Sequence, residues 1–242
     1  KRFHHHHHLL EGTLEISQIP PTLIELHIGS NMLEGTFEFD VFPPSIGEIS
    51  LGPNLLGGSA NLSKLPPKAT SVVLMECVLS GTVCLDELPE DLANLILEKN
   101  KFSGTLNLTR LPAALEDLSL CENLFSGSVD LTQLPANLEL LTMSKNRLTG
   151  TLSFDNLPES LQVLVLHKNQ FSGDVELTAL PESLILLKLN DNAFDGTLWL
   201  NRFPETFSTL TVKRNNNWKD IRLVGHGMIS YEDREEVLSK LE

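Results

Sequence analysis

Apolar residues along this chain fall in a pattern that repeats every 23 residues, in register with Pro20, Pro43, Pro66, Pro89, Pro112, Pro135, Pro158, Pro181 and Pro204. No insertion breaks the period. Counted from each proline as position 1, positions 4, 7, 9, 14, 18, 20 and 23 are apolar almost throughout, as Leu161, Leu164, Leu166, Phe171, Val175, Leu177 and Leu180 illustrate. The pair at 7 and 9 is strand alternation, with two side chains inward from one short strand. Stacking one such strand per unit predicts a parallel sheet lining a concave side. A second alternating pair at 18 and 20, as in Leu106 with Leu108 and Leu198 with Leu200, predicts a short strand on the convex side where a helical 3.6-residue pattern is missing. The outer wall should therefore be extended chain and turns, and curvature modest.

Two further columns have backbone reasons. Position 12 is Asn31, Asn54, Asn100, Asn123, Asn146, Asn169, Asn192 and Asn215, with Cys77 substituting once. A carboxamide donates and accepts at once, so stacked asparagines can satisfy backbone groups where the chain turns out of the strand. Cys77 offers only a weak donor there. Glycine at position 16, from Gly35 to Gly196, suits a turn with positive φ or close backbone approach, and the proline fixes φ where no amide hydrogen is required.

The run N-x-F-S-G at Asn100 to Gly104, Asn123 to Gly127 and Asn169 to Gly173 resembles the plant-type class of leucine-rich repeats. The L-T-x-L-P run from Leu131 to Pro135 is similar to repeats of protist leucine-rich-repeat proteins. The resemblance implies a leucine-rich-repeat solenoid, of the right-handed α/β-superhelix class but mostly strand with little helix, with a parallel concave sheet and short convex strands. It also implies a scaffold that takes proteins, peptides, glycans or small hormones, so it specifies fold more sharply than ligand. The sequence departs from the plant pattern after the glycine, where G-x-I-P is missing, and it lacks the paired cysteines that cap many extracellular members.

A lone 23-residue unit buries too little to offset its ordering entropy, so the units must share their core with neighbours. Residues 9–226 accordingly read as one solenoid of about nine repeats. The ninth departs from the pattern: Asn217 replaces the apolar position 14, Lys219 the glycine and His226 the last leucine. Residues 227–242, with Ser230 ahead of an acidic turn and Ile229, Val237, Leu238 and Leu241 apolar, read as a capping helix. Residues 1–8 hold a five-histidine run and are set apart as an appended tag or a strand trimmed at the chain boundary. Residues 9–19 read as the remnant of a repeat.

Charge narrows the partners. Lys and Arg number 18 against 32 Asp and Glu, a net of -14, and no basic cluster interrupts the acidic background. Such a surface repels phosphate backbones and anionic headgroups and fits a basic partner better. No apolar stretch approaches the roughly 18 residues of a membrane span. Cys77, Cys84 and Cys121 have no paired spacing, which leans toward reduced thiols and a cytoplasmic compartment; Asn61-Leu62-Ser63 and Asn107-Leu108-Thr109 would be glycosylation acceptors in a secreted chain. The compartment stays open between these.

Neither catalytic nor metal residues are assigned and no cofactor is implied. His27, His167 and His226 lie in units one, seven and nine, too far apart to cooperate. Cys121 and His167 share position 10 but sit two strands apart, roughly 10 Å at ~4.8 Å per strand, beyond a nucleophile's reach to its base. Positions 6, 8 and 10 project from the open face of the concave strands. Glu25, Glu48, Ser71, Asn94 and Asp117 are polar at position 6, but Leu140, Val163 and Leu186 follow in three consecutive units, with Val165 beside them at position 8 and His167, Lys188 and Lys213 as flanks. Contiguous apolar area of this kind favours a partner site. The expected role is a non-catalytic module that binds a protein or peptide on its concave face; the alternative is a spacer in a larger surface or cytoskeletal protein.

Overall fold

The computed structural model describes residues 1–5, 9–14 and 19–224. Two ten-stranded parallel sheets run the length of the coil. The inner sheet is built from three-residue strands: Arg2–His4, Glu25–His27, Glu48–Ser50, Ser71–Val73, Asn94–Ile96, Asp117–Ser119, Leu140–Thr142, Val163–Val165, Leu186–Lys188 and Thr209–Thr211. Each pairs with the next in unbroken register, Leu118 with Leu141, Leu141 with Leu164 and Leu164 with Leu187. The first strand lies among the residues set apart on sequence, and it pairs Arg2, Phe3 and His4 with Glu25, Leu26 and His27. The segment 227–242, read as a capping helix, lies outside the described residues.

Between the sheets the inward columns form one continuous core. Leu95, Leu118, Leu141, Leu164 and Leu187 at position 7 are fully buried, as are Phe102, Phe125, Phe171 and Phe194 at position 14. Phe102 stacks on Phe125, and Phe171 on Phe194, each pair at 6.4 Å between ring centroids. In the ninth unit, where position 14 is Asn217, Trp218 lies on Phe194 at 5.5 Å and donates its indole N–H to the Val212 carbonyl, so the column ends in an aromatic lid. At the other corner the proline carbonyl accepts from the amide three residues on, as Pro112 does from Leu115 at 3.0 Å. Proline loses no hydrogen bond there.

The outer sheet begins earlier in each unit than the 18/20 alternation predicts. Its strands, such as Lys101–Gly104, Leu124–Gly127 and Arg147–Gly150, occupy positions 13 to 16. The 18/20 pair joins the ladder only in the last coils, where Val175 pairs with Leu198 and Leu177 with Leu200, and Leu198 with Ile221 and Leu200 with Leu223. Elsewhere those side chains are buried without laddering of the backbone, because burial sets the alternation and hydrogen bonding does not. Helix among the described residues is confined to two 3-10 turns, Phe39–Val41 and Leu62–Lys64.

Asparagine at position 12 does what its chemistry suggests, and across coils. Asn123 Oδ1 accepts from the Phe102 amide of the preceding coil at 3.1 Å, while its Nδ2 donates to Leu97 and Leu120 carbonyls at 3.0 and 3.2 Å. Asn100, Asn146, Asn169 and Asn192 repeat the arrangement, and Asn31, Asn54 and Asn215 belong to the same ladder. Cys77 fills the gap with a long contact to the Met75 carbonyl at 3.7 Å and with its sulfur against the Asn54 and Leu56 backbone, and burial pushes its thiol up to about 11.

Candidate functional site

Geometry on the inner sheet follows from its three-residue strands: the middle residue points into the core and its two neighbours point out. Leu140, Val163 and Leu186 therefore stand side by side in register, and Thr142, Val165 and Lys188 form the next row. All four apolar members, Leu140, Val163, Val165 and Leu186, are half-buried. His167 and Lys188 are half-buried at the edge, and Lys213 is exposed beyond them. The seven residues singled out on sequence thus share one face, with Lys213 at its far border.

Polar atoms at the borders of this patch lack partners. Asp117 Oδ1 and His167 Nδ1 are buried with no hydrogen bond, the only such side-chain atoms among the described residues. Burial, with the Glu98 carboxylate adding to it, raises Asp117 to about 6. His167 is shifted down by burial and then by the Lys188 and Lys168 cations, which favours the neutral imidazole. Neighbouring side chains are satisfied: Ser119 and Thr142 hydroxyls meet at 2.9 Å, Thr211 donates to Asn190 at 2.6 Å, and Ser144 Oγ donates to Cys121 Sγ at 3.1 Å. That last bond turns Ser144 toward the thiol. His167 Nδ1 takes no part in it, and Cys121, Ser144 and His167 form no relay.

Three features escaped the sequence reading. Position 11 is left-handed in eight of the nine units, all but the one that carries Pro53, with φ of 52° to 58° at Ser30, Glu76, Lys99, Glu122, Lys145, Lys168, Asp191 and Arg214. Those side chains pair along the coil, Lys99 with Glu76 at 3.0 Å, Lys145 with Glu122 at 2.9 Å, and Arg214 with Asp191 at 2.7 Å. The change of sign from Glu76 to Arg214, broken once at Lys145 and Lys168, is visible in the sequence once position 11 is aligned. Secondly, position 13 carries an exposed apolar stripe on the outer sheet, Met32, Leu55 and Val78, at 47%, 51% and 42% exposure. Thirdly, Asn61 and Asn107 act as turn caps: Asn107 Oδ1 accepts from the Thr109 amide and hydroxyl at 3.0 and 2.7 Å, and Asp130 does the same for Thr132. Their Asn-x-Ser/Thr spacing has a local structural use.

The three cysteines are free, and no described helix is long and apolar enough to cross a membrane. No family model and no curated protein matches the chain. Solved structures do. YopM from Yersinia enterocolitica is 27% identical with a TM-score of 0.64, over 86% of this chain and 43% of its own. A plant ice-binding protein is 22% identical with a TM-score of 0.65, over 89% of this chain and 70% of its own. The Arabidopsis receptor kinase HAESA, in complex with the peptide hormone IDA and the co-receptor SERK1, is 24% identical with a TM-score of 0.61, over 89% of this chain and 41% of its own. This chain spans less than half the length of YopM and HAESA. Its 23-residue period, its paired parallel sheets and its likeness to these neighbours give it the solenoid fold of leucine-rich-repeat proteins.

Proposed function

We propose that the chain is a binding module whose inner sheet takes a peptide or a protein segment across Leu140, Val163 and Leu186. The carrying observation is the in-register apolar row bounded by two buried polar atoms without partners, Asp117 Oδ1 and His167 Nδ1. A buried acceptor left unmatched costs about 1–3 kcal/mol, which a ligand donor would recover on binding. The row supplies apolar contact, while Asp117 and Glu98 favour a basic or N–H-donating group at that end. HAESA, a neighbour in fold, holds a peptide hormone in its complex, and that supports a peptide-sized ligand.

The test is selection of peptides from a displayed library on the purified chain, followed by affinity measurement on variants. Replacing Leu140, Val163 and Leu186 together with serine should weaken the selected peptides by roughly a hundredfold, the scale set by losing two or three apolar contacts. Leu55→Ser with Val78→Ser, on the outer sheet, should leave affinity within about threefold, as expected of changes outside a contact surface. The reverse outcome would move the site to the outer stripe and end the concave assignment.

A further inference from the structure

Residues at the start of the inner sheet carry a different chemistry from the peptide face. His4 and His27 occupy the same position on adjacent strands, paired in register, with rings stacked at 4.5 Å. Each imidazole reaches one strand forward to a carboxylate: His4 Nε2 to Glu25 Oε2 at 3.2 Å, and His27 Nε2 to Glu48 Oε2 at 3.1 Å. Arg2 holds the other Glu25 oxygen at 2.9 Å, leaving Oε2 turned toward His4. One ligand atom from each of His4, Glu25 and His27 lies within 4.8 Å of the others.

We propose that His4, Glu25 and His27 form a site for a borderline divalent cation of the zinc class. Two imidazole nitrogens and one carboxylate oxygen are the donor set such an ion prefers, with a fourth position left to solvent or a ligand. Bonds of about 2.0–2.2 Å in a tetrahedron put donors roughly 3.3 Å apart. His4 Nε2 and Glu25 Oε2 already stand 3.2 Å apart, all three ligand atoms lie within 4.8 Å of one another, and His4, its side chain 47% exposed, has room to turn. Arg2 and Glu48 serve as the outer partners that orient Glu25 and His27. Because the ligands come from two successive coils, the ion cross-links the edge strand Arg2–His4 to its neighbour. This inference is independent of the peptide face, which lies five to seven strands away in the same sheet.

Zinc titrated calorimetrically into the full chain should bind one to one. His27→Ala and Glu25→Gln should each weaken it roughly tenfold or more, the scale on which even outer partners change metal affinity. His167→Ala should not. Zinc should also raise the Tm of the unaltered chain and fail to do so for His27→Ala, which separates a cross-link between coils from capture by a loose histidine. Circular dichroism of both variants, whose changed side chains face outward, verifies folding. Unchanged zinc affinity in His27→Ala or in Glu25→Gln overturns the site, since the run from His4 to His8 would then hold the ion alone; so does the absence of stoichiometric binding.

Discussion

At the scale of single residues, the asparagine ladder and its one interruption make a quantitative test. Asn123 bonds four backbone groups of two coils, so Asn123→Ala leaves buried groups unmatched and should cost about 2–3 kcal/mol. Cys77 offers only a thiol, a weak donor and acceptor, in the same place, and Cys77→Asn should stabilise by about 1 kcal/mol by completing the ladder. Urea unfolding of the two variants checks both signs. Asp117 gives a pH signature. Its folded-state value of about 6 stands above the ordinary carboxylate range near 4, so its contribution favours folding at low pH and is lost as pH rises through that window. Asp117→Asn should therefore stabilise the chain at pH 7.5, by about 1 kcal/mol after allowance for its partial exposure, and change little at pH 4. Equal effects at both values would contradict the raised state of the group.

Within the repeating element, the glycine at position 16 has two separable reasons to be glycine. Gly104 holds φ +84°, and a Cβ there would meet the Thr82 methyl at 2.8 Å; Gly81 holds the same φ but its Cβ would stand 3.6 Å from Ser59. Gly81→Ala should cost only the left-handed backbone, about 1–2 kcal/mol, and Gly104→Ala that amount plus a clash. Adding Thr82→Ser to Gly104→Ala should recover the difference and no more. Equal losses at the two glycines in thermal or chemical unfolding would show that the inter-coil contact is irrelevant. Position 11 adopts a left-handed φ without glycine because local turn geometry demands it, and the ion pairs along it are exposed and worth little each.

Over the whole molecule, stability is a sum over coils and their interfaces, so the ends open first. Trp218, one residue past Asn217, closes the position-14 column and covers Phe194 where no further phenylalanine follows. Trp218→Ala should destabilise the last coils by about 2–3 kcal/mol, given its partial burial, while the central coils keep their protection. Amide hydrogen exchange distinguishes this from global loss: faster exchange confined to the strands from Leu186 onward is expected, and uniform acceleration along the inner sheet would argue for a single cooperative unit instead.

The sequence by itself determined the 23-residue coil, the inward columns at positions 7 and 9, the asparagine ladder and the apolar row Leu140, Val163 and Leu186. All of these are properties of one 23-residue unit repeated, because alternation within a unit decides which side chains face inward and stacking carries that decision along the chain. What only the tertiary structure decided depends on contacts between units. The outer strand falls at positions 13 to 16 because backbone groups there find partners in the next coil, a fact that hydrophobic alternation at 18 and 20 does not encode. Asp117 Oδ1 and His167 Nδ1 are left without a partner only once neighbouring strands bury them. His4 meets His27 because inter-strand register sets residues 23 apart at strand spacing, whatever their distance along the chain.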